Sequence, residues 1–319
     1  MHALTQQLTF ELKRFEVKKG EIESLFIGGG TPSTIAPPLY TPLFEMISPW
    51  LKDQAEITIE ANPNSATHSW LEGIYQLGIN RISFGVQSFD KKKLKALGRS
   101  HTPTDAIKAI ESAKEIGFNH LSLDLIYNYM GDTKALLLAD INQAFNLPID
   151  HISAYELTIE SNTKFATTPE ARQESDALAF FVAEEIKNRG FEHYEISNFG
   201  NYQSHHNKGY WQLKDYIGIG AGAVGFKYNK RYYPQINITD YINNPLEIKE
   251  ESIDSEARLT EQLFLGLRSV VGVPKSILPP AMQQRADLLV QRNKLLKQKD
   301  IYYNQNFFLS DEIVLYILG

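Results

Sequence analysis

Short apolar runs alternate with amphipathic stretches of helical length through the first half of the chain, at intervals of about 30 residues, and this order restricts the fold more than any other feature. Leu4, Leu8, Leu12 and Phe15 fall at helical spacing. The run Ile22–Ile27 follows and stops at Gly28-Gly29-Gly30-Thr31-Pro32. The same alternation then predicts a helix over 39–51, a strand at 57–60, and a helix carrying Trp70, Leu71, Ile74 and Leu77, with Asn64 or Ser65 as its cap and Gly78 at its end. A strand at 82–86 precedes a well-marked helix. Thr102 takes its N-cap, Pro103 its first turn and Asp105 the third position past the cap, and Gly117 ends it. Strands at 121–126 and 151–158 flank a helix over 136–145.

Such a series specifies βαβ units around a parallel sheet, whose function collects at the carboxyl ends of the strands. The polar residues gather there: 28–31, Glu60 with Asn62, Gln87 with Ser88, Asp124, and Tyr155 with Glu156. The first element is a helix with no strand before it, so the array reads as lacking its opening strand. After residue 160 the pattern changes. A helix over 170–188, a strand at 193–197, a polar loop holding His205 and His206, and a glycine-dense segment at 217–225 come in turn. Residues 228–245 read as hairpin or loop. The end reads as helix (256–267), helix (282–298), an aromatic strand pair (301–309) and a last helix (311–318), a small winged-helix-like module. The expected division is a partial β/α barrel at 1–165, an α+β segment on the substrate side at 166–250, and the C-terminal module at 251–319.

The chain has 319 residues, 43% apolar and 22% charged, the mix of a globular protein with a sizeable core. Its formal net charge of −6 provides no broad positive field for nucleic acid, and no apolar run reaches the roughly 18 residues of a membrane span. With no secretory signal at Met1-His2-Ala3, the cytoplasm is the expected location. There is no cysteine. That excludes disulfides, thiol nucleophiles, Cys-ligated zinc and all-cysteine iron–sulfur clusters within this polypeptide.

Each motif has a plain reading beside a functional one. Gly28-Gly29-Gly30-Thr31 matches neither G-x-G-x-x-G nor a P-loop, so its glycines serve a tight turn or a close ligand approach. Glu60 ends an apolar strand and either bonds an amine or ribose or faces solvent. Asp124, in Leu123-Asp124-Leu125-Ile126, reads as a carboxylate in a strand apolar on both faces. It needs a partner, either an internal Arg or Ser or a ligand hydroxyl. Arg99 either clamps a ligand carboxylate or makes a surface ion pair.

Taken in order, FIGGGTPS, EANPNS, GINRISFGVQSFD, LKALGRSH, LDLIY, ISAYELTIE, HNKGYW and YIGIGAGAVG closely resemble the oxygen-independent coproporphyrinogen III oxidase family of radical S-adenosylmethionine (SAM) proteins. The likeness is strongest to its heme chaperone branch and runs from about residue 20 to about 225. It implies an α/β fold, a partial (β/α)6 barrel without its first strand followed by a smaller α+β C-terminal region. It also implies that Gly29, Gly30 and Thr31 meet the methionine part of SAM. Glu60, Gln87, Arg99 and Asp124 then complete the SAM site, Arg99 at the carboxylate and Asp124 at the ribose. The signature His-Asn-x-x-Tyr-Trp is matched by His206, Asn207, Tyr210 and Trp211, which implies heme binding with His206 on the iron.

The chain departs from the family in two places. Family members hold a [4Fe–4S] cluster on a C-x-x-x-C-x-x-C loop after the first strand, and this chain has neither loop nor strand. The expectation is a polypeptide missing that segment, by truncation or a misplaced start, with a degenerate relative as the other account. Gly220-Ala221-Gly222-Ala223-Val224-Gly225 stands where G-C-G-A-H-G is usual, and Tyr127-Asn128-Tyr129-Met130 where Tyr-Gly-Leu-Pro is usual. The expected function is that of a heme chaperone inactive in radical chemistry, with heme or porphyrinogen and a heme-acceptor protein as partners. A porphyrinogen-decarboxylating oxidase and a cofactor-free binding scaffold are the alternatives.

Overall fold

The computed structural model describes residues 1–159 and 164–319. In chain order its first elements are α1 (His2–Arg14), β1 (Ile22–Ile27), α2 (Thr41–Ile47), β2 (Leu51–Ala61), α3 (His68–Gln76), β3 (Arg81–Gln87), α4 (Lys91–Ala96) and α5 (Pro103–Ile116). There follow β4 (His120–Tyr127), α6 (Lys134–Phe145), β5 (His151–Glu156), α7 (Asp176–Asn188), β6 (Glu192–His193), β7 (Asn198–Gly200) and α8 (His205–Trp211). The remainder is β8 (Gly225–Lys227), β9 (Lys230–Pro234), α9 (Ile238–Asn243), β10 (Ile248–Ser252), α10 (Ser255–Leu267), β11 (Val273–Pro274), α11 (Pro280–Gln291), β12 (Leu295–Gln298), β13 (Ile301–Asn304) and α12 (Ser310–Leu318).

The chain forms two compact units. One comprises Ser24–Pro38 and Glu56–Gln203; the other comprises Met1–Glu23, Leu39–Ala55 and Ser204–Gly319. The first unit is built on a seven-stranded sheet of order β1-β2-β3-β4-β5-β7-β6, with β1 at one edge. Pairing is parallel from β2 to β5, and β7 closes antiparallel to β5. This is the expected partial barrel. The sequence-predicted strand at 193–197 is instead a hairpin of two very short strands. Glu195 sits in its turn, with its carboxylate accepting from the Ser197 N–H, so the backbone bends there rather than extending.

The faces of this sheet differ in chemistry. Ile59, Ile82, Phe84, Val86, Leu121, Leu123, Leu125 and Ile152 are buried on one face. The alternate positions Thr58, Arg81, Ser83, Ser122, Asp124, His151 and Ser153 form the other, all but Asp124 also buried. The expectation that Asp124 interrupts a strand apolar on both faces is therefore corrected: β4 alternates strictly, and Asp124 belongs to its polar side.

Caps fix most helices. Thr102 and Asp105 form the reciprocal box expected at α5, and Gly117 ends that helix at φ 110°. At α3 the cap is Thr67, which accepts from the Trp70 N–H, rather than Asn64 or Ser65. The helix expected over 282–298 ends at Gln291, and Leu295–Gln298 turns back as a strand against β13.

In the second unit, α10, α11 and α12 share a core with the sheet β11-β13-β12, through Leu263, Leu267, Val273, Ala286, Tyr302 and Val314. Residues 228–245, expected as hairpin or loop, hold β9, which forms a hairpin with β8, followed by α9. Gln7 of α1 is fully buried there. Its Nε2 donates to the Gly218 carbonyl, and its Oε1 accepts from the Gly220 N–H and the Tyr241 hydroxyl. One amide thereby anchors the glycine-dense segment, whose Gly218 packs so tightly on the Val224 backbone that a Cβ would lie 2.3 Å from the carbonyl oxygen.

Candidate functional site

The polar side of the sheet converges on its carboxyl end. Gly28 leaves β1 where a Cβ would stand 2.5 Å from the Phe26 ring and 3.1 Å from the Glu60 carboxylate. Glu60, at the end of β2, accepts from the Gly29 N–H at 3.1 Å, and burial raises its pKa. Gly29 and Gly30 both hold positive φ, and Thr31 is exposed beside them. Ser33 ties this turn to β2 by accepting from the Asn62 N–H at 2.9 Å. The tight-turn reading of the glycines thus holds, and the turn rests on Glu60.

Asp124 lies two residues before the last residue but one of β4, deep in protein yet still reached by solvent. Ser83 donates to its Oδ1 at 3.3 Å, and Ser153 bonds it as well. Burial first, then the charge of Glu60, pushes its pKa up to about 6 against those serines and Arg81. Of the partners expected for it, internal serines are what the fold provides.

Gln87 ends β3 at a break in register, with φ at 68°. Its Nε2 would approach a Cβ on Gly85 to 3.3 Å, so glycine there leaves room for the amide. Arg99 follows α4. Partial desolvation lowers its pKa, while the charge of Asp124 acts in the opposite sense, so the two groups share one electrostatic environment. Gln87, Arg99, Glu60 and Asp124 therefore belong to the carboxyl side of one unit.

Two further side chains, His101 and Glu195, escaped the sequence reading, which placed Tyr155 at a strand end without giving it a partner. His101 is buried, its Nε2 is 2.9 Å from the Val86 carbonyl, and its Nδ1 has no partner among the described residues. Tyr155 bonds Ser153 and has a pKa raised by burial and by Asp124. Glu195 is buried with its pKa pushed up to about 7. The period-two alternation of β4 and β5 was the signal that could have found Ser153 and placed it beside Tyr155; nothing local marked Glu195.

The second cluster lies in the other unit. His205 and His206 are on a helix, not in a loop: Ser204 accepts from the Asn207 N–H at 3.3 Å and starts α8. On that helix His206 and Tyr210 are four apart, as are Asn207 and Trp211, which groups the signature into two neighbouring stripes. His206 Nε2 lies 3.1 Å from the Tyr210 hydroxyl, with the rings edge to face at 4.9 Å. Tyr210 meets Tyr216 at 4.7 Å, and Tyr216 stacks with Phe226 at 5.9 Å. The result is an aromatic ladder beginning at an imidazole.

A model of the radical SAM superfamily matches residues 4–143. Heme chaperone HemW of Lactococcus lactis is 33% identical over 286 residues, covering 85% of this chain and 75% of that protein. HemW of Haemophilus influenzae is 31% identical over 346 residues, covering 99% and 89%. HemW of Escherichia coli is 39% identical over 213 residues, covering 64% and 56%. Among solved structures, coproporphyrinogen III oxidase (HemN) from Escherichia coli aligns with a TM-score of 0.80 at 18% identity, over 99% of this chain and 82% of that one, a likeness of fold. Half-barrel and family model together define a radical SAM protein. Within that superfamily, the chain belongs to the HemW family of heme chaperones.

The superfamily implies SAM and a [4Fe–4S] cluster. The residues present fit SAM in their chemistry: Gly29 and Gly30 leave open space over the turn, and Asp124 is a deep carboxylate that solvent reaches. They do not fit the cluster. The chain has no cysteine, and no group of three His, Asp or Glu among the described residues is placed to hold a metal.

Proposed function

We propose that this protein binds heme on α8 as cargo for transfer to an acceptor protein, in the cytoplasm, and that the carboxyl end of its half-barrel binds SAM without cleaving it. The observation that carries the heme reading is the pairing on α8, where His206 and Tyr210 form one stripe and Asn207 and Trp211 the next. Heme needs an axial imidazole and flat apolar surface. Iron ligation by His206 requires its Nε2 to exchange the Tyr210 hydroxyl for the metal. Tyr210 and Tyr216 then offer ring faces and edges to the macrocycle, and the Asn207 amide offers both a donor and an acceptor.

On the SAM side, Gly29, Gly30 and Thr31 would line the methionine part. Arg99 would pair with its carboxylate, Asp124 and Gln87 would take ribose hydroxyls, and Glu60 would hold the turn and the amine. A [4Fe–4S] cluster would supply the electron that splits SAM, and this chain has no thiolate to hold one.

Titration with hemin tests the main reading. The unmodified chain should give a shifted Soret band with saturable binding. His206→Ala should weaken binding by at least about tenfold, equivalent to roughly 1.4 kcal/mol, while His205→Ala changes it little. Equal losses from both substitutions, or no Soret shift in the unmodified chain, would remove heme from this helix.

A further inference from the structure

The aromatic ladder that starts at His206 ends on a cation. The Arg258 guanidinium of α10 lies over the Phe226 ring at 5.0 Å, and α8 packs against α10. Most other arginines of this unit have acceptors. Arg14 pairs with Glu11, Arg231 with Glu261, Arg268 with Asp311, and Arg285 donates to the carbonyls of Ile317 and Leu318. Arg258 has no carboxylate within ion-pair distance among the described residues, and its Nη1 is buried without a hydrogen-bond partner. Glu261, one turn further along α10, is bonded by Arg231 through Oε1 only; its Oε2 is buried with no hydrogen-bond partner and makes no ion pair with Arg258.

A half-buried guanidinium that gives up water and gains only a ring face is undercompensated, because a cation–π contact replaces none of its five hydrogen bonds. The planar fork suits a carboxylate, which it can bind through two parallel N–H donors. Porphyrins of the heme class carry carboxylates, their propionates, along one edge of an otherwise apolar disc. From this placement we propose that Arg258 is a carboxylate-recognition residue of the α8 site, binding a propionate of the tetrapyrrole whose flat surface lies along Tyr210 and Tyr216, with the buried Phe226 ring backing Tyr216 and holding the guanidinium. This rests on the heme reading above and adds to it the group that distinguishes an acidic porphyrin from a neutral one.

The test compares hemin with hemin dimethyl ester, which keeps the iron and the ring and removes the propionate charge. Soret titrations are run on the full chain as wild type, Arg258→Gln and Arg258→Lys, with far-ultraviolet circular dichroism of each. Wild type should bind hemin at least about tenfold more tightly than the ester. Arg258→Gln should weaken hemin to the level of the ester while leaving the ester unchanged, and Arg258→Lys should keep part of the preference. Equal wild-type affinity for the two ligands overturns the proposal without any variant. So does a hemin-to-ester ratio that Arg258→Gln does not alter, and in both cases the heme reading stands. A wild-type chain that binds neither ligand overturns both.

Discussion

Asp124 is bonded by Ser83 and Ser153, repelled by Glu60, and buried enough that its pKa rises to about 6 from 3.8. An acid with a raised folded pKa holds its proton more firmly in the native chain than in the unfolded one. Its contribution to stability is complete below about pH 4 and is lost as the pH rises through about 6. At neutral pH the ionised group is a net cost of about 1–3 kcal/mol, taking one pKa unit as 1.36 kcal/mol. Asp124→Asn is therefore expected to raise the Tm near pH 7 and to flatten the decline in stability between about pH 4 and pH 6, while weakening SAM binding. Thermal melts across that range, with and without SAM, check both halves. A variant less stable than wild type near pH 7 would mean that the serines and Arg81 compensate the charge fully. A residue kept at a cost to the fold is the pattern of a ligand-facing group.

At the scale of elements, the loops that carry the rim are fastened by a buried ion pair. Lys93 of α4 bonds Asp132 at 2.8 Å with both side chains almost fully buried, and its Nζ also donates to the Ile126 carbonyl, two residues past Asp124. This joins the segment bearing Gln87 and Arg99 to the strand bearing Asp124. Lys93→Met should cost about 3–5 kcal/mol, because it strands a buried carboxylate, and Lys93→Met with Asp132→Leu should recover most of that. Chemical denaturation of the two variants measures the difference; equal losses would show that the pair is not coupled. Ser204→Ala should likewise loosen α8 by about 0.5–2 kcal/mol and weaken hemin binding with it. A variant that loses the cap while binding hemin as wild type does would separate the helix from the site. Much of this architecture was legible in the sequence, since periodicity located β1 to β5 and the residues Thr102, Pro103, Asp105 and Gly117 announced α5. Lys93 was not legible. It stands among Lys91, Lys92 and Lys95, and only the tertiary fold decides which lysine is buried. Likewise the seven-residue α8 is too short for a periodic signal, so its histidines read as loop until Ser204 is seen to cap it.

For the whole molecule, the absence of thiolates lets iron–sulfur chemistry be tested separately from the proposed heme binding. An iron–sulfur cluster is assembled on deprotonated cysteines, and histidine replaces them only in part, and then in particular centres. With no cysteine anywhere in the 319 residues, anaerobic incubation with iron, sulfide and a reductant should leave no stoichiometric iron or sulfide on the protein. Reduced chain mixed with SAM should release no 5′-deoxyadenosine. If hemin binds on α8 and its ladder as proposed, none of which is a cluster ligand, its affinity should be the same before and after that incubation. The paired measurement is informative because each half can fail alone. Deoxyadenosine formation would show that this chain holds a cluster on ligands other than thiolates. A hemin affinity that depends on iron and sulfide would show that the porphyrin site needs the cluster, and that His206 and its neighbours are not sufficient to make it.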